Sequence, residues 1–263
     1  MNVKAAAVTK VFPDGRETEE KQLFLSEHPM EIFVNGAKVF SLLCTEENLL
    51  YLVAGRLLSS GIIESKDDIR QIDFCQTKAR AYAVLKDSLD WQPELPKESS
   101  CCPQNKAYLK NAAALPLAPL KKARWKKEWI FQLAEAFSKG STFHTYTAGT
   151  HSAILFSKGR GLFCAEDIGR HNALDKALGY MLLEGIKAEE AILFTSGRVP
   201  VDMAEKVIRA KVPVLVSKSV PTADAIALAE KYGLTLIFRA WKDSFQLAAM
   251  PGPASTGRRA AAP

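Results

Sequence analysis

The chain has 263 residues, with 35 Lys+Arg against 29 Asp+Glu and a formal net charge of +6. At 48% hydrophobic, 24% charged and 9% aromatic residues it sits near the average for globular proteins, which excludes disordered, collagenous and fibrous chains. No apolar run reaches the roughly 18–20 residues that span a bilayer. Met1 to Lys10 lacks the apolar core and cleavage site of a secretory signal, so the expected location is cytoplasmic, with no membrane partner.

Gln22 to Ser26 and Glu31 to Val34 read as strands, and Asn35-Gly36 between Val34 and Val39 is a type I′ hairpin signal. Thr45 is the expected N-cap of a helix, with Asn48 three residues on. Leu49, Leu50, Leu52, Val53 and Leu57 form its apolar face and Gly61 ends it. Ile69 to Cys75 and Ala79 to Leu85 read as two more strands, making 1–90 a smaller strand-rich N-terminal subdomain. From Lys86 to Lys106 prolines, paired serines and paired cysteines leave no usable periodicity, and a loop is expected. Residues 91–127 therefore read as a linker with a cysteine loop and a basic stretch, Lys121, Lys122, Arg124, Lys126 and Lys127, around Trp125. That stretch is either a solvated helix face or a surface for phosphates or an acidic partner. No RNP, zinc-finger or helix-turn-helix signature accompanies it, so no nucleic-acid partner is expected.

The second half differs in kind. Trp129 to Phe137 reads as an amphipathic helix, and Ser152 to Ser157 with Leu162 to Ala165 as a hairpin across Lys158-Gly159-Arg160-Gly161. A helix from Asn172 to Glu184 follows. Then strands at Ala191–Phe194, Val212–Val216 and Leu234–Phe238 alternate with helices at Val201–Ala210 and Thr222–Tyr232. Alternation at this spacing implies an α/β domain over 128–249 with a mostly parallel sheet, within a chain that is α+β overall. Residues 250–263 carry almost no large apolar side chain and read as a disordered tail.

Ligands in α/β sheets bind beyond the carboxyl ends of the strands. Three polar clusters fall at such places: Thr147 to His151, Glu166 to Asn172, and Thr195-Ser196-Gly197-Arg198. The last joins two hydroxyls, a guanidinium and a helix start, which suits an anion. Asp167, Arg170 and His171 either belong to such a site, or form a buried Asp167–Arg170 pair with His171 as a helix cap. The five cysteines are an odd number without a C-x-x-C spacing, and the four histidines are scattered. No disulfide framework and no bound metal are expected. Cys101-Cys102 lies in the loop, where Lys97 and Lys106 favour the reactive thiolate. Cys44, Cys75 and Cys164 read as core filling.

Thr150-His151-Ser152-Ala153, the segment Glu166-Asp167-Ile168-Gly169-Arg170-His171-Asn172-Ala173-Leu174-Asp175-Lys176, and Thr195-Ser196-Gly197-Arg198 resemble the FdhD/NarQ family in order and spacing. Pro221-Thr222 and Gly233-Leu234-Thr235-Leu236 extend the likeness, which runs from about Glu31 to Phe245. The resemblance implies a homodimeric cytoplasmic sulfurtransferase, or sulfur carrier, with a cytidine-deaminase-like C-terminal domain. Such a protein takes persulfide sulfur from a cysteine desulfurase and passes it to the molybdenum bis(molybdopterin guanine dinucleotide) cofactor of formate dehydrogenase. Deaminase chemistry is not implied, since H-x-E and P-C-x-x-C are absent. The family's persulfide loop, Ser-Ser-Cys-Gly-x-Cys-Gly, aligns with Ser99-Ser100-Cys101, which implies Cys101 as the sulfur-bearing residue. Cys102 stands in place of a glycine, as a second thiol at another spacing, and Gln104 in place of the second cysteine. The resemblance further implies cofactor contacts from His151, Asp167, Arg170, His171, Ser196 and Arg198, and from the segment Arg239, Ala240, Trp241, Lys242, Asp243 and Ser244. The alternative is a paralogue that binds and hands over the cofactor without transferring sulfur.

Overall fold

The computed structural model describes residues 3–86, 97–99, 102–107, 116–140 and 142–250. Strands β1 (Val3–Val11) and β2 (Glu17–Leu25) form a separate antiparallel ribbon, in register from Val3 opposite Leu25 to Val11 opposite Glu17. The first six-stranded sheet begins with β3 (His28–Val34) and β4 (Ala37–Cys44), joined by Asn35 and Gly36 at φ 47° and 87°. Two positive φ values in succession are what a type I′ turn requires. β5 (Ile69–Phe74) and β6 (Arg80–Leu85) extend this sheet on one side, with β6 parallel to β3.

On the other side lie β7 (Lys97–Ser99) and β8 (Cys102–Ala107), with Phe40 of β4 opposite Ala107. The irregular loop expected over 86–106 is corrected at 97–99 and 102–106, where main-chain pairing makes strands although the side chains carry no alternation. Cys101 lies outside the described residues, as do 251–263 of the expected tail.

Helix α1 (Leu49–Ser59) ends as expected, with Gly61 at φ 72° and its N–H bonded to the Leu58 carbonyl. Its start differs. Asn48, in the left-handed region at φ 58°, occupies the N-cap with no side-chain bond, and Thr45 is used elsewhere.

The second half contains α2 (Lys127–Ser138), α3 (Thr142–Thr147), β9 (His151–Ser157), β10 (Arg160–Asp167) and α4 (Arg170–Leu183). It continues with β11 (Ala191–Thr195), α5 (Val201–Arg209), β12 (Val214–Ser217), α6 (Ala223–Tyr232), β13 (Thr235–Phe238) and β14 (Gln246–Ala249). The sheet order is β10-β9-β11-β12-β13-β14. Only β11–β12 and β12–β13 are parallel; the remaining pairs are antiparallel. The sheet is thus mixed, which corrects the expectation of a mostly parallel one. The cause lies at the two sides: the β9–β10 hairpin joins this sheet antiparallel to β11, and β14 pairs antiparallel to β13.

Strand alternation divides the second sheet's apolar side chains between two cores. Leu155, Leu193, Leu215 and Leu236 share one cluster with Met30, Ile32, Leu52, Leu57, Leu174 and Val207. Ile154, Phe156, Phe194, Val216 and Ile237 face the other way, against Ile130 and Leu133 of α2. The first cluster runs without a break from the first sheet through α1, α4 and α5 to the second, so the two halves share one core. Among the described residues no helix is long and apolar enough to cross a membrane.

Helices α1 and α4 cross backbone to backbone. A Cβ on Gly55 would lie 1.8 Å from the Asp175 carbonyl oxygen, and one on Gly179 1.8 Å from that of Tyr51. Neither obstacle is a movable side chain, so the helices themselves must separate. Gly55→Ala and Gly179→Ala should each destabilise the protein by about 1–3 kcal/mol or more, read as a lowered urea midpoint, whereas Gly161→Ala, with open space around it, should not.

Candidate functional site

The polar residues around α4 separate into a buried group and a cavity. At the centre of the buried group, Asp167 and Lys176 form an ion pair of 2.7 Å with neither side chain exposed. The carboxylate also accepts from the Thr45 N–H at 3.0 Å, and from the Gly169 N–H and Asn172 Nδ2, each at 2.9 Å. The Lys176 ammonium donates to Thr45 Oγ at 2.7 Å and to the Glu166 carbonyl at 3.1 Å. Thr45 is spent here rather than on a helix cap.

Asn172 Oδ1 accepts from Arg56 Nη2 at 3.1 Å, linking this pair to a second. Asp175 lies 2.9 Å from Arg56 Nε and 2.7 Å from Lys206 Nζ, and accepts from Ser59 Oγ at 2.7 Å. Burial alone would raise the Asp175 carboxyl, but Arg56 and Lys206 outweigh it and hold it below the ordinary range. Burial, with Arg56 beside it, lowers Lys206 to about 8. His171 is buried next to these cations, its Nε2 3.4 Å from Asp202 Oδ2. Burial first, then Lys206 and Arg56, push its pKa down to about 3, so the ring is neutral.

The expected cofactor contacts from Asp167 and His171 are therefore corrected. Both are committed to the core, and the partner of Asp167 is Lys176 rather than Arg170. Cysteines divide in the same way: Cys44 is buried, with burial pushing its thiol to about 12, whereas Cys75 is half-buried and Cys164 exposed. Only Cys44 fills the core as expected.

A cavity of about 530 Å³ opens at the carboxyl ends of β11 and β12. Its walls include His144, Gly149, Thr150 and His151 on one side, Ser196 after β11, Lys218 and Ser219 after β12, and Phe137 and Trp241. Ser196 Oγ accepts from the Ser152 N–H at 3.0 Å and lies 3.4 Å from His151 Nδ1. Burial, then the charge of Arg170, lowers the His151 pKa. Lys218 Nζ stands 5.0 Å from the ring centres of both Phe137 and Trp241, a cation held between two aromatic faces. Trp241 reaches the cavity because Arg239, at φ 46°, and Ala240 donate their N–H groups to the carbonyls of Ser219 and Ser217.

Of the residues expected from the sequence, His151, Ser196 and Trp241 line the cavity. Arg170 lies across Gly197, where a Cβ would meet its side chain at 3.0 Å. Arg198, Arg239, Lys242, Asp243 and Ser244 are exposed outside the lining, and Ala240 is buried. Thr150 also lines the cavity, within the polar cluster read at 147–151, whereas His144, Lys218 and Phe137 were not foreseen. Lys218 had a usable signal, since Ser217-Lys218-Ser219 follows a buried strand just as Thr195-Ser196-Gly197 does. Among the described residues no group of three or more His, Cys, Asp or Glu side chains is placed to hold a metal ion. A half-open cavity with a lysine, hydroxyls, imidazoles and aromatic walls suits a ligand that is both anionic and planar.

The arrangement defines a mixed α/β protein with a cavity over the ends of parallel strands. The chain belongs to the FdhD/NarQ family, whose model matches residues 25–251. It is 32% identical over 215 residues to the sulfur carrier protein FdhD of Halalkalibacterium halodurans, covering 80% of each chain. It is 30% identical over 258 residues to the protein of that name from Bacillus subtilis, covering 95% of this chain and 98% of the other. The fold is similar to that of a crystal structure described as a formate dehydrogenase accessory protein from Desulfotalea psychrophila, with a TM-score of 0.78 at 23% identity over 95% of this chain.

Two outcomes follow from the buried group. Lys176→Met strands the Asp167 carboxylate and should cost about 3–5 kcal/mol, measured by chemical denaturation. His171 binds its proton more weakly folded (about 3) than its ordinary value of 6.5, so the unfolded chain binds more protons between these values. Stability should fall as pH drops from 6.5 toward 3, and His171→Asn should flatten that slope in denaturation curves.

Proposed function

We propose that the protein is a cytoplasmic, homodimeric sulfur carrier serving a molybdenum-dependent formate dehydrogenase, with a cytidine-deaminase-like second half. The observation that carries this reading is the near full-length likeness to proteins named sulfur carriers, together with Cys101 in the Ser99-Ser100-Cys101 context.

The Cys101 thiolate attacks the outer sulfur of a cysteine desulfurase persulfide. One S–S bond forms, one breaks, and the desulfurase cysteine leaves as its thiolate, so the sulfane sulfur moves without net oxidation. Cys102 then offers a release route: its thiolate attacks the inner sulfur of the Cys101 persulfide, forming a Cys101–Cys102 disulfide and expelling hydrosulfide. The two thiols supply the two electrons. The recipient, molybdenum bis(molybdopterin guanine dinucleotide), is a substrate. Its nucleotide end would occupy the cavity, with the base against Trp241 and the phosphates near Lys218 and Ser196. The exposed Lys121, Lys122, Arg124, Lys126 and Lys127 would meet an acidic surface of the desulfurase or the formate dehydrogenase.

A second reading is favoured by Gln104, which stands where a second thiol is expected: a chaperone that holds the cofactor and transfers no sulfur. Mass spectrometry after incubation with a cysteine desulfurase and cysteine separates the two. The carrier gains one sulfur atom on the Cys101-Cys102 peptide, and Cys101→Ala abolishes the gain. No added sulfur with an active desulfurase leaves the chaperone. Under either reading Lys218→Ala should weaken binding of GDP, a soluble stand-in for the nucleotide end, by about tenfold or more, as expected for losing a charge-assisted bond; calorimetry reads this directly.

A further inference from the structure

Glu166 and Asp167 are neighbours on β10, and strand alternation sends their side chains to opposite faces. Asp167 turns into the core, to Lys176. The Glu166 carbonyl accepts from Lys176 Nζ at 3.1 Å and from Thr45 Oγ at 3.2 Å, so its backbone is fixed from the core side. Its carboxylate reaches the other way. There one oxygen, Oε1, accepts from the His144 N–H and from Thr150 Oγ, each at 2.9 Å. A third bond closes the ring: His144 Nδ1 and the Thr150 carbonyl are 3.0 Å apart, which requires the proton on Nδ1. His144, Ala148, Gly149 and Thr150 are one wall of the cavity. The segment cannot hold that shape alone, because α3 spans only six residues and Ala148 sits at φ 51°.

We propose that Glu166 is the positioning residue of this cavity: its carboxylate pins residues 144–150 in place, and affinity for the ligand depends on the pin. The proposal rests on the cavity's reading as a guanine-nucleotide site. Two physical effects oppose each other here, which makes it decidable. A carboxylate beside an anion site repels phosphate, so a purely electrostatic role has removal of Glu166 tighten binding. A pin has removal weaken it.

The test titrates GDP into the full chain and its Glu166→Ala, Glu166→Asp and Glu166→Gln variants by calorimetry. Hydrogen exchange over residues 144–150 is followed without ligand, and thermal unfolding checks that each variant is folded. Glu166→Ala should bind GDP about tenfold more weakly and lose protection at the His144 amide. Glu166→Asp keeps the charge but withdraws the oxygen, and should behave like the alanine variant. Glu166→Gln keeps an acceptor oxygen without the charge and should restore both affinity and protection. Equal or tighter GDP binding by Glu166→Ala, or unchanged exchange at His144, overturns the pin. Failure of the parent protein to bind GDP instead sinks the nucleotide reading, and the exchange data then decide the pin by themselves.

Discussion

Asp167 and Lys176 meet at 2.7 Å with neither side chain exposed, and the elements around them are arranged to make that tolerable. A buried charge is costly unless its remaining bonding capacity is met. Thr45, Gly169 and Asn172 meet it for the carboxylate, and Thr45 and the Glu166 carbonyl for the ammonium. These partners come from the segment before α1, from the end of β10 and from α4, so satisfying one ion pair fixes three elements against each other. Asn172 and Arg56 extend the constraint to Asp175, and Lys206 carries it to α5. The backbone crossing at Gly55 and Gly179 is compatible only with the helix placement these bonds enforce.

The cavity inherits its geometry from that placement. β10 hydrogen-bonds to β9 with Glu166 opposite Ser152 and Asp167 opposite His151. Fixing Asp167 in the core therefore sets where His151 emerges at the sheet edge. Ser196 reaches the same edge from β11, and its hydroxyl accepts the Ser152 N–H. Ser217, buried at the end of β12, donates to the Gly197 carbonyl at 2.8 Å and so ties that strand end to the loop after β11. The site is rigid at its floor, where strands end, and depends on side-chain bonds at its rim.

Much of this was legible in the sequence, and the exceptions have identifiable causes. The hairpin at Asn35-Gly36 and the helix stop at Gly61 each depend on a local conformation that few residues supply, and both appear as read. β1 was missed because Val3–Val11 holds three successive alanines and is almost wholly exposed. Its extended form comes from pairing with β2, which composition does not announce. β7 and β8 likewise owe their form to the edge of β4. The share of parallel pairing was misjudged since the hairpin read at 152–165 joins the same sheet through β9, and β14 adds a further antiparallel edge. Thr45 carries a helix-cap signature that is true locally but loses to a charge pair more than a hundred residues away.

The segment from Glu166 to Lys176 was the hardest to read for a related reason. Its density of polar groups beside apolar strands looks like a ligand site, and a ligand site and a buried ion network use the same residue types. Period separates them. Asn172, Asp175, Lys176 and Gly179 recur at helical spacing on the face of α4 that meets α1, which marks them as packing residues. Residues before the helix follow strand spacing instead, so 166 and 167 must part company, one to the cavity and one to the core. The switch from period two to period 3.6 falls between Asp167 and Arg170. Within five residues, 166–170, the same stretch of chain anchors the core, supports the cavity wall and lays Arg170 across the Gly197 loop. A single substitution there acts on the core or on the cavity according to the face its side chain takes.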